Sequence, residues 1–350
     1  MKRILIDIYK TNNLNSGLGQ FSNNYANEII KTAPENFNIN FLSPKNNTLS
    51  TKIAKKCVPV SFQKRHLPFL NPVYDLWHSL HQFPSHLPKK STKQLLTIHD
   101  LNFMTEKDSA KASKYLKRLQ KNVDRADALT VISKYTKSQV LEHVDIKDKP
   151  IHTIYNGVHL QKFEDTIQPE FVKNDKFFFS IGIISAKKNF HVLVPIMQHF
   201  KDYHLIIAGN NNSDYAGEIE ETANKLGLQN QVHLCGMISE QDKYWLYTHC
   251  EAFLFPSMAE GFGLPVIEAM LVGKPVFLSK YTCLPEIGGE HAFYWDSFET
   301  EHMVDVLKTN LRQFYMNREK ASFEMIRYAE KFSWEISIKQ YIDLYKELSL

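Results

Sequence analysis

The chain has 350 residues, 43% hydrophobic and 23% charged, which suits two domains that each bury a core and excludes a disordered, charge-dominated polymer. A net charge of only +4 leaves no global polycation to argue for a nucleic-acid partner. Cys57, Cys235, Cys250 and Cys283 show neither C-x-x-C pairing nor metal-ligand spacing, and read as buried thiols in a reducing compartment. No run approaches 18 uncharged apolar residues, so no membrane span is expected. MKRILIDIYK, interrupted by Asp7, is expected to be a first strand and not a signal peptide, and the expected setting is cytoplasmic.

From the N-terminus, residues 4–8 (ILIDI) predict a buried strand and TNNLNSGLGQ a polar loop. The spacing of Phe21, Tyr25, Ile29 and Ile30 predicts a helix. Strand, Gly17-x-Gly19 loop and helix make a phosphate-cradling geometry. The third glycine and downstream acid of a dinucleotide fingerprint are missing, which counts against a dehydrogenase. Residues 38–42 and 57–60 predict short strands. Lys52, Lys55, Lys56, Lys64, Arg65 and His66 interleave with apolar residues and precede LPFLNPVYDLW. That run reads either as solvated surface or as a basic, aromatic patch for anionic lipid headgroups or a lipid-diphosphate acceptor. QLLTI (94–98) predicts a strand ending at His99-Asp100, where open α/β sheets place ligands; the alternative is a satisfied histidine at a strand end. A Lys/Arg-rich helix follows over about 109–124, then a strand at 128–133 whose Ser133 caps the helix beginning KYTKSQV. Asn156-Gly157 is a turn signal, and the polar stretch up to Lys176 sets a boundary near residue 165, giving domains 1–164 and 165–333.

FFFSIG (177–182), HLIIAGN (204–210), VHLCGMI (232–238) and residues 275–278 predict further strands, restarting the strand–helix alternation. SAKKNF is expected to lead into a helix through His191, Val192, Leu193 and Val194. Lys187 and Lys188 fall at its N-terminal side, the wrong end for a cation unless an anion lies between them and the helix. The most informative run is FLFPSMAEGFGLPVIEAM, Phe253 to Met270. An apolar strand breaks at Pro256-Ser257, a loop Glu260-Gly261-Phe262-Gly263 follows, and Pro265 opens a helix. Glu260 and Glu268 cannot serve phosphate, since like charges repel, but carboxylates accept hydrogen bonds from hydroxyls. An arbitrary E-x7-E reads as a loop charge and a helix-surface residue. The intervening G-F-G-L-P and the preceding strand favour a sugar-nucleotide site.

On these residues the chain resembles the retaining glycosyltransferases of family 4, whose GT-B fold has two facing doubly wound, Rossmann-like domains with an inter-domain cleft. The resemblance covers nearly the whole chain and is more specific in the second half. It implies that Glu260 and the backbone of Gly261, Phe262, Gly263 and Leu264 meet the donor sugar, and that Glu268 meets the ribose. The backbone after Gly236, at Met237, is implied to face the nucleobase. The loop of Gly17 and Gly19 would face the donor diphosphate and the acceptor, and His99, in TIHDLNF, the transferred sugar. Lys187 and Lys188 would neutralise the diphosphate; the family's Arg-Lys-Asn is here Lys187-Lys188-Asn189, without the planar guanidinium fork. Residues 151–163 would cross between domains, and a C-terminal helix at about 334–350 would pack back on the first.

The implied reaction moves a hexose from a nucleotide-diphosphate sugar, GDP-mannose or a UDP-sugar, to a saccharide or lipid-linked saccharide acceptor in cell-surface glycan assembly. Its physical burden is the departing diphosphate, which fixed positive groups and backbone amides can stabilise in a dry cleft. His99, Glu260 and Lys188 are the candidate catalytic residues. No cofactor or metal is expected, since no D-x-D occurs. A two-carboxylate double displacement is disfavoured, the second acid lying more than a helical turn away with a better role on the ribose. Peripheral contact with an anionic membrane surface, at the inner face of the plasma membrane, is a further expectation, and nucleic acid is not an expected partner. Two other readings are a sugar-nucleotide epimerase of the same fold, needing no acceptor, and a non-catalytic sugar-binding protein, whose usual periplasmic home does not suit a chain without a signal peptide.

Overall fold

Short apolar runs without alternation suit strands buried on both faces, and here they pair in parallel. The computed structural model describes residues 1–13, 16–44, 49–58, 65 and 67–349. They divide into two units, Met1–Gly157 with Ser333–Leu350, and Val158–Phe332. The division falls at Gly157/Val158 and not near residue 165, and the second unit is closed at its ends by the Val158 N–H donating to the Phe332 carbonyl at 2.7 Å. Among the described residues, no helix is long and apolar enough to cross a membrane.

The first unit holds a seven-stranded sheet of β1 (Lys2–Asp7), β2 (Phe37–Leu42), β3 (Cys57–Val58), β4 (Leu76–Ser79), β5 (Lys93–Ile98), β6 (Ala128–Val131) and β7 (Ile151–Thr153), in the order β3-β2-β1-β4-β5-β6-β7. All its pairs are parallel, and β1 sits at the point where the order reverses, with Asp7 opposite Ser79 of β4. Ligands of open α/β sheets lie beyond the carboxyl ends at such a switch. The helix Gly17–Thr32 begins four residues before the expected Phe21, because Ser16 caps it by accepting the Gly19 N–H at 3.1 Å. Ser133 caps Lys134–His143 in the same way, its hydroxyl accepting the Thr136 N–H. The C-terminal helix Trp334–Leu348 shares a core with β1, β2 and Gly17–Thr32 through Trp334, Ile338, Tyr341 and Tyr345. A fully buried chain of hydrogen bonds runs through that core. Tyr25 OH meets Tyr345 OH at 2.7 Å, Tyr345 OH meets His78 Nδ1 at 2.6 Å, His78 Nε2 meets Thr97 Oγ1 at 2.7 Å, and Thr97 meets Thr130 at 2.7 Å.

The second unit repeats the plan with six parallel strands, β8 (Phe177–Ile181), β9 (His204–Ala208), β10 (Val232–Gly236), β11 (Ala252–Phe255), β12 (Val276–Ser279) and β13 (Phe293–Trp295), in the order β10-β9-β8-β11-β12-β13. Its switch point lies between β8 and β11. Three strands were not expected from sequence. β4 follows Pro72 and Asp75, which break its apolar run, while β7 and β13 have three residues each and leave no period to read. The helix expected after SAKKNF is broken into short turns, because Asn189 takes a left-handed φ of 58° and Pro195 follows within it. The four cysteines are free; Cys250 and Cys283 are buried, Cys57 and Cys235 half-buried. Lys64, His66 and residues 59–60 of the expected second strand lie outside the described residues.

Candidate functional site

In the second unit the chain leaves β8 and β11, on the two sides of the switch point, through the segments carrying Lys187-Lys188 and Glu260. Lys188 Nζ donates to Glu260 Oε1 at 2.5 Å, with only 11% and 14% of the two side chains exposed. The Ser257 hydroxyl donates to the same oxygen at 2.7 Å, and the ammonium stands 4.8 Å over the Phe255 ring. The Glu260 backbone is fixed as well: its N–H donates to Thr282 Oγ1 at 3.1 Å, and its carbonyl accepts the Cys283 thiol at 3.3 Å. The Lys187 carbonyl accepts the Met258 N–H at 2.8 Å and the Ser257 hydroxyl at 3.3 Å, stitching the lysine turn to the glutamate loop. Gly182 makes room for this, since a Cβ there would stand 3.1 Å from Lys188 Cε.

Gly263 turns the loop into the helix Leu264–Met270 with a φ of 94°, a conformation that glycine adopts at little cost. Phe262 is buried edge-on against Phe332, so of this residue the backbone is what the loop presents. Glu268 lies farther along the helix in a second cluster. Its Oε1 accepts from Lys243 Nζ at 3.2 Å and its Oε2 from the Tyr247 hydroxyl at 2.9 Å. Burial pushes the Glu268 carboxyl above its usual range, and Lys243 and Tyr247 pull it back. Burial also works against the Lys243 charge, but the carboxylates of Glu268 and Glu240 outweigh it and hold the ammonium above its usual value. Gly236 ends β10 with a φ of 69°, its carbonyl accepting the Gly209 N–H at 2.7 Å, and Met237 after it is 60% exposed.

In the first unit, Gly17 and Gly19 lie in the first turn of a helix and not in the expected loop: the Gly19 N–H is taken by Ser16, and neither glycine has a positive φ. His99 follows β5 and is 4% exposed. Its Nε2 donates to the Leu80 carbonyl at 2.7 Å, its N–H to Gln82 Oε1 at 3.1 Å, and its carbonyl accepts the Thr136 hydroxyl at 3.1 Å. Burial lowers its pKa to about 4, so the imidazole is neutral with Nδ1 as the acceptor. At the carboxyl end of β1, two strands from β5 in the sheet, Asp7 accepts the Tyr9 N–H at 2.9 Å, and burial raises its pKa from 3.8 to about 7 against the pull of that bond and of Lys10. Asp7, Lys243, Tyr247, Ser257 and Thr282 were not singled out from the sequence. Only Lys243 and Tyr247 leave a trace there, four residues apart and so on one helix face.

The family described as Glycosyl transferases group 1 matches residues 161–332, and that described as Glycosyltransferase Family 4 matches residues 64–162. Among curated proteins, the O-antigen chain mannosyltransferase B of Escherichia coli is 26% identical over 284 residues, 75% of this chain and 72% of that protein. The serotype-specific mannosyltransferase WbdA of Escherichia coli is 27% identical over 229 residues, 60% of this chain but only 28% of that much longer protein. Among solved structures, Anabaena HepE in complex with UDP and glucose superposes with a TM-score of 0.75 at 17% identity, covering 99% of this chain and all of that one.

Proposed function

Because the chain belongs to the group 1 glycosyltransferases, with the two Rossmann-like units of the GT-B fold, we propose that it transfers a hexose with retention from a nucleoside-diphosphate sugar to a saccharide or lipid-linked saccharide acceptor. The mannosyltransferase relatives favour mannose, carried on GDP, over a UDP-sugar, and cell-surface glycan assembly as the setting. The observation that carries the reading is the half-enclosed Lys188 ammonium at the switch point, locked to a glutamate that is itself fixed through side chain and backbone. A departing diphosphate needs fixed positive charge where negative charge develops, and a pre-set lysine supplies it without reorganising. Lys187 is the second cation. Glu260 and the backbone of Gly261–Leu264 hold the sugar hydroxyls, Glu268 accepts from the ribose hydroxyls, and the exposed Met237 after Gly236 faces the base. His99, neutral and fixed in tautomer, offers hydrogen bonds to the transferred sugar and no charge. The chemistry asks for no metal.

The test is thermal stabilisation by UDP, GDP, ADP, dTDP and CMP in the presence of EDTA. A ligand at 100 times its Kd that binds only the folded state adds about 2.7 kcal/mol. A shift by one diphosphate that Glu268→Ala abolishes supports the donor site and names the base. No shift by any of them, in folded protein, would sink the reading.

A further inference from the structure

We infer that Lys243 and Tyr247 are positioning residues of the donor site, holding the Glu268 carboxylate charged and aimed so that it can accept hydrogen bonds from the ribose. The inference rests on the reading of Glu268 given above and extends it to residues on another helix. Lys243 and Tyr247 stand four residues apart on Glu240–His249, on one face, and reach one oxygen each of Glu268. That helix starts from a capping box, with Ser239 and Asp242 each holding the other's backbone, so the face is registered from its first turn. Lys243 is 11% exposed and bridges Glu268 to Glu240, whose Oε2 lies 2.8 Å from it.

The arrangement solves a definite problem. A carboxylate sunk in a protein tends to neutralise by taking a proton, and burial works in that direction on Glu268. A neutral acid is a poorer acceptor, and a freely rotating one is not aimed. One cation and one hydroxyl use a single lone pair on each oxygen, and a carboxylate has about four, so acceptor capacity remains for a diol. The groups acting on Glu268 most strongly are Lys243, Tyr247 and Glu240. Of the other elements against its helix, β11 and β12 carry no ionisable residue, Leu284–Gly288 carries Glu286, and Arg318–Ala329 carries Arg318, Glu319, Lys320, Glu324, Arg327 and Tyr328. Those charges are common to every variant below and cancel in the comparison.

The experiment titrates UDP and GDP, and their 2′,3′-dideoxy forms, into the wild type, Lys243→Met, Lys243→Arg and Glu268→Gln between pH 6.5 and 8.5. Titration of the terminal phosphate is also common to all, so ratios to the wild type are read. Lys243→Met is expected to bind whichever ribonucleotide the wild type prefers about tenfold more weakly at pH 6.5, a loss worth about 1.4 kcal/mol. The gap should narrow toward pH 8.5 as Glu268 ionises, should vanish for the dideoxy form, and should be mostly restored in Lys243→Arg. If Lys243→Met does not fold, Lys243→Gln carries the same test. A weakened Glu268→Gln beside an unaffected lysine variant would overturn the inference alone, as would a pH-independent loss shared by the dideoxy nucleotide. Glu268→Gln binding as tightly as the wild type would overturn the ribose reading and the inference with it.

Discussion

The carboxyl ends of the two sheets treat buried charge in opposite ways. In the second unit each buried acid meets a lysine: Glu260 pairs with Lys188 at 2.5 Å and Glu268 with Lys243 at 3.2 Å, each with a hydroxyl on the carboxylate as well. In the first unit the corresponding strand end carries Asp7, which, among the described residues, is steadied by a backbone N–H and the longer-range pull of Lys10, while two strands away His99 is kept neutral. Each of these carboxylates is thus held in place by two side chains at once. The unpaired acid is poised to change its protonation state near neutrality. The same α/β plan thus yields one end built on lysine–carboxylate pairs and one whose acid, among the described residues, has no lysine in contact with it.

The most damaging change should be Lys188→Ala. It removes the cation and leaves Glu260, 14% exposed, without its counter-charge. Loss of one preset electrostatic contact to a transition state costs about 10²–10³-fold in turnover, and initial rates at saturating donor would show it. A loss below threefold would mean that Lys187 carries the diphosphate instead. Glu260→Gln comes next and should divide binding from catalysis. Lys188, freed of an anion that competes with phosphate, should hold UDP or GDP several-fold more tightly, while transfer slows by roughly tenfold or more as the sugar contact weakens. Calorimetry with the diphosphate and rates with the sugar donor check the two halves. Weaker diphosphate binding would show that the ion pair assists the anion and does not compete with it.

What could be read in advance follows the same divide. The candidate site of the second unit was legible because its residues lie locally in the chain: Glu260, the glycine loop, Pro265 and Glu268 fall within one strand–turn–helix passage, and Lys187-Lys188 follows another strand directly. The parallel strands showed as unbroken apolar runs, apart from the short or interrupted β4, β7 and β13. The first unit's features arise from residues far apart in the chain. His78 meets Tyr345 across 267 positions, and Tyr25 meets it across 320, so no local pattern could announce either contact. Gly17 and Gly19 misled for a related reason. A glycine pair after a strand suggests a loop, and only the Ser16 cap, a matter of one hydroxyl's geometry, shows that the helix has already begun. Asn189 broke the expected helix through its backbone conformation, which its side chain permits but does not dictate.

Asp7→Asn tests the unpaired end. The folded-state pKa of Asp7 is raised from 3.8 to about 7, so its contribution to stability is fully present below pH 3.8 and is lost as pH rises through about 7. Asparagine keeps an oxygen for the Tyr9 N–H and cannot ionise. The variant should therefore match the wild type near pH 4 and exceed it at pH 8 by roughly 1–3 kcal/mol, seen as a melting temperature several degrees higher. A destabilised variant at pH 8 would mean that Asp7 is charged and paired in solution, and the contrast between the two ends would fall.

The smallest effect expected is that of Tyr345→Phe, which removes one oxygen from the core joining the C-terminal helix to the first unit. That oxygen stands 2.7 Å from Tyr25 OH and 2.6 Å from His78 Nδ1. Burial holds His78 at a pKa of about 3, so the ring is neutral and carries one N–H. With Tyr345 donating to Nδ1, that proton sits on Nε2 and points to Thr97, and Tyr25 donates to Tyr345. Phenylalanine fills the same space but strands the Tyr25 hydroxyl and His78 Nδ1 in a dry core. Unmet polar groups there cost roughly 1–3 kcal/mol, partly recovered if Tyr25 reaches His78 directly. A drop of roughly 1 kcal/mol in chemical denaturation, larger in Tyr345→Phe than in Tyr25→Phe, is expected, since Tyr25 ends the chain and Tyr345 lies within it. Equal effects would mean that the hydroxyls act as separate pairs, and that the C-terminal helix is held by its apolar face alone.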